Sequence, residues 1–273
     1  MWIYCGWTLF VLAVVRFLTL SLQRWQRRDG GKLRDVQVTE PAGDAVPSTS
    51  AADLATSSSS ETAVEATVDD KNNQVPFDYY AVVDFECTCD QGEWPAHEII
   101  EFPAVFVNAR TRKVDMEFHR YVRCAENPRL TPFCTELTGI TQEDVDSAER
   151  LPVVLQQFQE FLDSHGLVTR RRERSPSRPL FVICTDGPWD IRKFLRPEAG
   201  RKRLHLEHCW NRWVDVRRTF ETRRGLRCGV VPMLQHMGLA FEGREHSGLD
   251  DARNIARILI VLLESGHLEP HSF

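Results

Sequence analysis

No C-x-x-C pair occurs in the 273 residues, and without thiolates at that spacing a zinc ribbon has no ligand set. An excess of positive charge is also missing. The formal net charge of −5 argues against a wholly basic, non-specific nucleic-acid binder, although a local basic groove stays open. Acidic residues are absent from residues 1–28, and no basic residue stands in residues 1–7, where a secretory signal would usually begin with one. Aromatic residues are absent from residue 37 until Phe77. That stretch is rich in Ser, Thr, Ala, Asp and Glu, as in Thr56-Ser57-Ser58-Ser59-Ser60. Such a segment cannot bury enough surface to fold and reads as a flexible tether.

What is present divides the chain into three parts. Trp2 to Leu22 carries only one charge, Arg16, and as a helix would span about 31 Å, near the hydrocarbon thickness of a bilayer. Arg24, Arg27 and Arg28 follow it. The positive-inside rule predicts a membrane anchor over residues 1–28 with the rest of the chain facing the cytosol. The competing readings are a mitochondrial presequence, which the lack of acids favours, and a cleaved signal. Residues 29–75 form the linker, and residues 76–273 the folded domain. Hydrophobic residues make up 42% of the chain, enough for a sizeable core. The cysteines Cys5, Cys87, Cys89, Cys124, Cys134, Cys184, Cys209 and Cys228 mostly sit in apolar runs. They read as reduced thiols of a cytosolic or organelle-interior domain.

The folded part opens on an oddity. Ala81-Val82-Val83-Asp84-Phe85-Glu86 is an apolar run interrupted by two acids. In a strand over Tyr80 to Glu86 both carboxylates leave the same face, where they repel unless a proton or a cation lies between them. Hard divalent cations such as Mg²⁺ take such oxygen ligands. Strands follow over Glu101–Asn108 and Val114–Val122, and short links between them predict an antiparallel meander. Thr131-Pro132 opens a helix that Gly139 ends, Thr141 starts a second and Leu151-Pro152 a third. Leu180 to Thr185 reads as a strand buried on both faces that ends at Asp186-Gly187, the kind of strand end where ligands bind. A helix passes through Trp189, Ile191, Phe194 and Leu195. A fifth strand covers Trp213 to Arg217, a short helix Val230 to Met237, and a last helix Leu249 to Glu264. Two basic stretches stand out. Residues 168–179 hold five arginines, and Arg192 to Arg227 hold twelve basic residues against four acids. Each is either a solvated face or a set of nucleic-acid contacts. His205, His208 and Cys209 lack a fourth ligand for zinc.

The candidate acids are therefore Asp84, Glu86, Asp186, Asp250 and Asp251, with His246 in the loop before the last helix. Taken singly, each has an ordinary reading as a turn, a helix start or an exposed residue. Their order is informative. Asp84-x-Glu86, Thr185-Asp186-Gly187 and His246-x-x-x-x-Asp251 resemble the three motifs of the DEDDh exonucleases. His97-Glu98-Ile99-Ile100-Glu101-Phe102-Pro103, Leu137-Thr138-Gly139-Ile140-Thr141, Thr185-Asp186-Gly187-x-Trp189-Asp190 and the run His246–Ala256 extend the likeness to the Eri-type 3′→5′ exoribonucleases, over about residues 78–268.

The resemblance implies an α/β, ribonuclease H-like exonuclease fold: a mixed five-stranded sheet, the first three strands antiparallel and the last two parallel, with helices on both faces. It implies that Asp84, Glu86, Asp186 and Asp251 hold two Mg²⁺ ions, with Mn²⁺ as a substitute. Glu86 and His246 are the catalytic pair, His246 being the general base, and a loop position leaves its ring room to move. Asp250 becomes structural, as a helix cap. Glu86, Cys87, Gly187 and His246 would contact the terminal nucleotide. The substrate implied is the 3′ end of RNA, single-stranded or a short overhang, cut to nucleoside 5′-monophosphates. DNA as substrate, and an inactive membrane-tethered scaffold, are the alternatives. The N-terminal nucleic-acid-binding module of some relatives has no counterpart in residues 1–75, where the apolar segment and the tether stand instead.

Overall fold

The computed structural model describes residues 76–92, 96–167 and 180–270. In chain order the strands are β1 (Tyr79–Val82), β2 (Glu86–Cys87), β3 (Ile99–Asn108), β4 (Val114–Arg123), β5 (Glu149–Arg150), β6 (Phe181–Thr185) and β7 (Trp213–Asp215). They form one sheet in the order β5-β4-β3-β1-β6-β7, with β2 paired to β3. The β1–β3 and β3–β4 pairs are antiparallel, and β6 and β7 run parallel to β1 and to each other. The mixed five-stranded sheet expected from sequence is thus present, with β2 and β5 as two-residue additions.

The helices are α1 (Pro132–Thr138), α2 (Gln142–Ser147), α3 (Leu151–Ser164), α4 (Arg196–Arg201), α5 (Val216–Arg224), α6 (Val230–His236) and α7 (Gly248–Leu263). A π-helical turn, Asp190–Leu195, leads into α4. Their ends follow local chemistry. The Thr131 hydroxyl accepts from the Cys134 N–H, and Gly139 takes the left-handed conformation that ends α1. Thr141 and Asp144 cap α2 reciprocally.

Alternation along the strands sends side chains to two layers. Tyr80, Val82, Val105, Val107, Val182 and Cys184 pack with Phe220, Leu234, Ile255 and Leu259 of α5, α6 and α7. Ala81, Val83, Phe102, Phe106 and Ile183 pack with Val154, Phe158 and Leu162 of α3 and with Trp210. Helices therefore cover both faces, and the loops at one end of the sheet are left to build a site.

Three sequence expectations are corrected. The strand predicted over Tyr80–Glu86 is two strands, with residues 83–85 outside any ladder. The strand predicted over Trp213–Arg217 stops at Asp215, whose carboxylate accepts the Arg218 N–H and caps α5. Alternation in Trp-Val-Asp-Val-Arg fits a strand, but a capping aspartate starts a helix just as well. The third correction concerns the transmembrane anchor and the membrane-anchored, cytosol-facing placement drawn from it. Among the described residues no helix is long and apolar enough to cross a membrane. The longest, α7, has 16 residues and bears Asp250, Asp251, Arg253 and Arg257; at 1.5 Å per residue it spans about 24 Å, short of a bilayer core of about 30 Å. The predicted anchor at 2–22, the linker at 29–75 and the arginine-rich loop at 168–179 lie outside the described residues.

Of the twelve basic residues from Arg192 to Arg227, nine are exposed and Lys202, Arg217 and Arg223 are half-buried, but several are tied to the fold. Lys202 bridges Glu98 at 2.7 Å and Glu198 at 2.5 Å, both fully buried. Arg201 pairs with Glu126, Arg196 donates to the Trp210 carbonyl, and Arg223 donates to the His267 carbonyl. Glu98 also accepts the N–H groups of Ala125, Glu126 and Asn127. Burial works against its charge, yet Lys202 and those amides hold its pKa below the usual glutamate value. Removing one partner of such a buried pair is strongly destabilising. Lys202→Met is expected to lower unfolding free energy by about 3 kcal/mol, read from urea denaturation, because it strands two buried carboxylates.

Candidate active site

The site begins where the sheet splits. β1 pairs with both β3 and β6, whereas β2 pairs only with β3. The Val83 N–H still reaches the Cys184 carbonyl, but the next inward amide, Phe85 N–H, is taken by the Asp190 carboxylate at 2.8 Å. A bulge between Glu86 and Cys87 shifts the register further. Bulges re-aim side chains next to active sites. Asp84 sits in the gap so formed, Glu86 at its rim, and Asp186 at the end of β6.

The second half of the site comes from the N-terminal end of α7. Glu101, on the strand beside Glu86, is buried and accepts from Gly248 N–H at 2.9 Å and Leu249 N–H at 3.2 Å. It also lies 2.8 Å from the His119 ring. These contacts satisfy helix-end amides that would otherwise be unpaired. A Cβ on Gly248 would stand 2.6 Å from the Asp84 carbonyl oxygen, so only glycine permits this docking. Gly248→Ala is therefore expected to displace the helix that carries Asp251. A loss of about 10²-fold in kcat on single-stranded RNA, with an unchanged far-ultraviolet CD spectrum, is the expected result.

His246 precedes that helix with φ of 64°, a left-handed conformation rare outside glycine. Its N–H donates to Asp251 at 2.8 Å. The Arg244 N–H donates to Asp250 at 3.0 Å, and the Arg244 guanidinium donates to the Glu136 carbonyl at 2.7 Å. The loop is thus braced to α1 and to its own helix, and backbone strain at His246 is held by these bonds. Asp250, expected as a helix cap, instead accepts the Arg244 N–H of the loop and pairs with Arg253.

Glu86, His246 and Asp251 each offer a ligand atom, all within 4.8 Å of one another. Asp84 and Asp186 stand outside that triplet but close enough to act on it. Burial, then Asp190, Asp251, Glu86 and Asp186 in that order, push the Asp84 carboxyl well above its ordinary value. Burial and then Glu101 do the same to Glu86. Burial raises Asp251 to about 7, against the opposing hydrogen bond from His246 N–H. Asp190 is also raised to about 7, by burial and by Asp186. So many carboxylates cannot all ionise together without a compensating cation. An oxygen-rich donor set with one imidazole fits a hard divalent metal.

Asp186 is held differently: both its oxygens accept from Arg217, Nε at 3.0 Å and Nη2 in a closer contact. Among the predicted substrate contacts, Cys87 is buried with its carbonyl facing the Cys134 thiol, and the Gly187 carbonyl accepts from Thr185. Sequence reasoning missed Glu101, Asp190, Arg217 and Gly248. Glu101 carried the same signal as Asp84, an acid inside a buried apolar run, and Glu101, Asp190 and Gly248 all stand in the runs that carry the family resemblance.

The comparisons with known proteins agree with this geometry. The family profile named RNase_T and described as an exonuclease matches residues 81–259. The 3′-5′ exonuclease Snipper of Drosophila melanogaster is 40% identical over 204 residues, covering 71% of this chain and 72% of its own. The 3′-5′ exoribonuclease 1 of Homo sapiens is 36% identical over 195 residues; the match covers 70% of this chain but only 54% of that one. The solved nuclease domain of 3′hExo, a DEDDh family member bound to rAMP, superposes with a TM-score of 0.66 at 34% identity, over 74% of this chain and 98% of that domain.

Proposed function

The chain belongs to the exonuclease family, in its DEDDh branch, and is a metal-dependent 3′→5′ exonuclease; we propose that it shortens RNA from the 3′ end and releases nucleoside 5′-monophosphates. The observation that carries the chemistry is the carboxylate cluster around Glu86, His246 and Asp251, whose raised pKa values call for a cation. RNA as substrate draws support from the likeness to an exoribonuclease and to a nuclease domain that binds a ribonucleotide. Residues 76–273 are the proposed catalytic unit, joined to a tether at 29–75.

Asp84, Glu86, Asp186 and Asp251 are the proposed ligands of two Mg²⁺ ions, with Mn²⁺ as a substitute. When bound, such ions supply Lewis acidity, acidifying the attacking water and offsetting charge on the leaving 3′-oxygen. His246 accepts a proton from that water as its oxygen bonds to phosphorus and the bond from phosphorus to the 3′-oxygen breaks. Asp251 orients His246 through the backbone bond described above. Glu86, at the rim, holds metal and the terminal nucleotide together, with the backbone of Cys87 and Gly187 and the ring of His246 beside the nucleotide.

The test pairs substrate and metal. With matched 3′-labelled oligomers, RNA is expected to be degraded at least about 10-fold faster than DNA, as reading of the 2′-hydroxyl requires. Chelation should abolish degradation of both, and Mg²⁺ or Mn²⁺ should restore it. A preference for DNA would make the chain a DNA-directed exonuclease with the same site; no degradation of either, with metal present, would leave the scaffold reading.

A further inference from the structure

We propose that Arg217 couples arrival of substrate to filling of the metal site: its guanidinium holds Asp186 while substrate is absent, then moves to a phosphate of the bound nucleic acid and frees Asp186 as a ligand. This rests on the reading of Asp186 as a metal ligand. Three observations support the transfer. Both Asp186 oxygens are engaged by the Arg217 fork, so a metal reaching Asp186 must share an oxygen with an N–H donor or displace it. The Asp186 side chain is only 8% exposed while that of Arg217 is 29% exposed, so the arginine has an outward path and the aspartate has none. Arg217 stands in the first turn of α5, beyond the strand end where a ligand would approach.

The chemistry of guanidinium makes the exchange natural. Its planar fork fits phosphate as well as it fits carboxylate. In the absence of metal, Arg217 offsets part of the charge gathered by Asp84, Asp186 and Asp190. A second cation arriving at Asp186 meets repulsion from Arg217, unless an anion draws the arginine aside. A substrate phosphate supplies that anion and brings the scissile bond with it. Linkage then requires reciprocity: nucleotide tightens metal binding, and metal tightens nucleotide binding by the same factor.

Mn²⁺ binding to the full-length protein, followed by electron paramagnetic resonance and titration calorimetry with AMP as nucleotide probe, tests this. Arg217→Met is expected to bind Mn²⁺ about 10-fold more tightly than wild type without AMP, and to bind AMP more weakly. AMP should tighten Mn²⁺ binding about 10-fold in wild type and less than about 2-fold in Arg217→Met. Opposite signs for metal and nucleotide separate coupling from a merely structural ion pair, whose loss weakens both. Arg217→Lys, which keeps the charge but loses the fork, should bind Mn²⁺ more tightly than wild type by a smaller factor, and it decides the matter if the methionine variant does not fold. Mn²⁺ binding to the variants that is equal to or weaker than wild type overturns the coupling, as does an absent AMP effect in wild type. Wild-type protein that binds no Mn²⁺ overturns the metal reading itself.

Discussion

Asp84→Asn is expected to lower kcat on single-stranded RNA by about 10³-fold or more, equivalent to about 4 kcal/mol of transition-state stabilisation, while making the metal-free protein more stable. The two effects have one cause. Asp84 lies among Asp190, Asp251, Glu86 and Asp186, and burial together with their charge raises its pKa far above the ordinary value. A carboxylate whose folded pKa is raised binds a proton more tightly in the native state than in the unfolded one. Between the two pKa values the native state holds more protons, so stability falls as pH rises through that window. Asp251 and Asp190, raised to about 7, act in the same direction. Metal-free wild type is therefore expected to lose stability between about pH 4 and pH 7, and Asn at position 84 removes part of that loss. At pH 8 the variant should melt several degrees above metal-free wild type, at about 2–4 °C per kcal/mol for a domain of this size. Mg²⁺ should raise the melting temperature of wild type and move that of Asp84→Asn much less. Unchanged activity in Asp84→Asn would remove Asp84 from the metal site, and a lowered metal-free melting temperature would show that the acids are compensated in some other way.

The second large effect belongs to His246. His246→Ala is expected to cut kcat/KM by about 10²- to 10⁴-fold, the range that general bases contribute. The pH profile gives the sharper reading. Desolvation lowers the imidazole pKa, Arg244 works in the same direction and Glu245 against it. The neutral ring is the base, so activity should rise with pH through a value below the usual histidine pKa of about 6.5 and then level off. At saturating Mg²⁺ this acid limb belongs to His246 and should vanish in His246→Ala. At limiting Mg²⁺ the limb should shift upward, because Asp251, at about 7 without metal, must then lose its proton before metal binds. An acid limb that survives in His246→Ala at saturating Mg²⁺ would assign the base elsewhere. Substituting alanine leaves the His246 backbone N–H in place for Asp251, so the variant tests the ring rather than the loop.

Local chemistry made much of the molecule legible in its sequence. Two acids in an apolar run, an acid at a strand end and a histidine five residues before a helix acid are all patterns of short range. The same holds for the α1 and α2 caps, where Thr131 and Thr141 bond within three residues of themselves. The continuous apolar run from Leu180 to Thr185 reads as a strand buried on both faces, and the resemblance implied that helices supply that cover. The antiparallel meander and the acids to examine follow from such signals, whereas the fold class and the parallel pairing came from the resemblance to the DEDDh exonucleases.

What only the tertiary structure decided depends on partners far apart in the chain. The run that opened as one strand with two acids breaks at Asp84 because Asp190, 105 residues away, takes the Phe85 N–H. The distance between the halves of the site depends on Glu101 receiving Gly248 from 147 positions along the chain. Arg217 reads as the end of a strand in sequence, yet it stands in a helix with its fork on Asp186, 31 residues back. Periodicity and capping act within a turn or two of backbone. A buried hydrogen bond or ion pair selects its partner by proximity in three dimensions, and no local pattern encodes that choice.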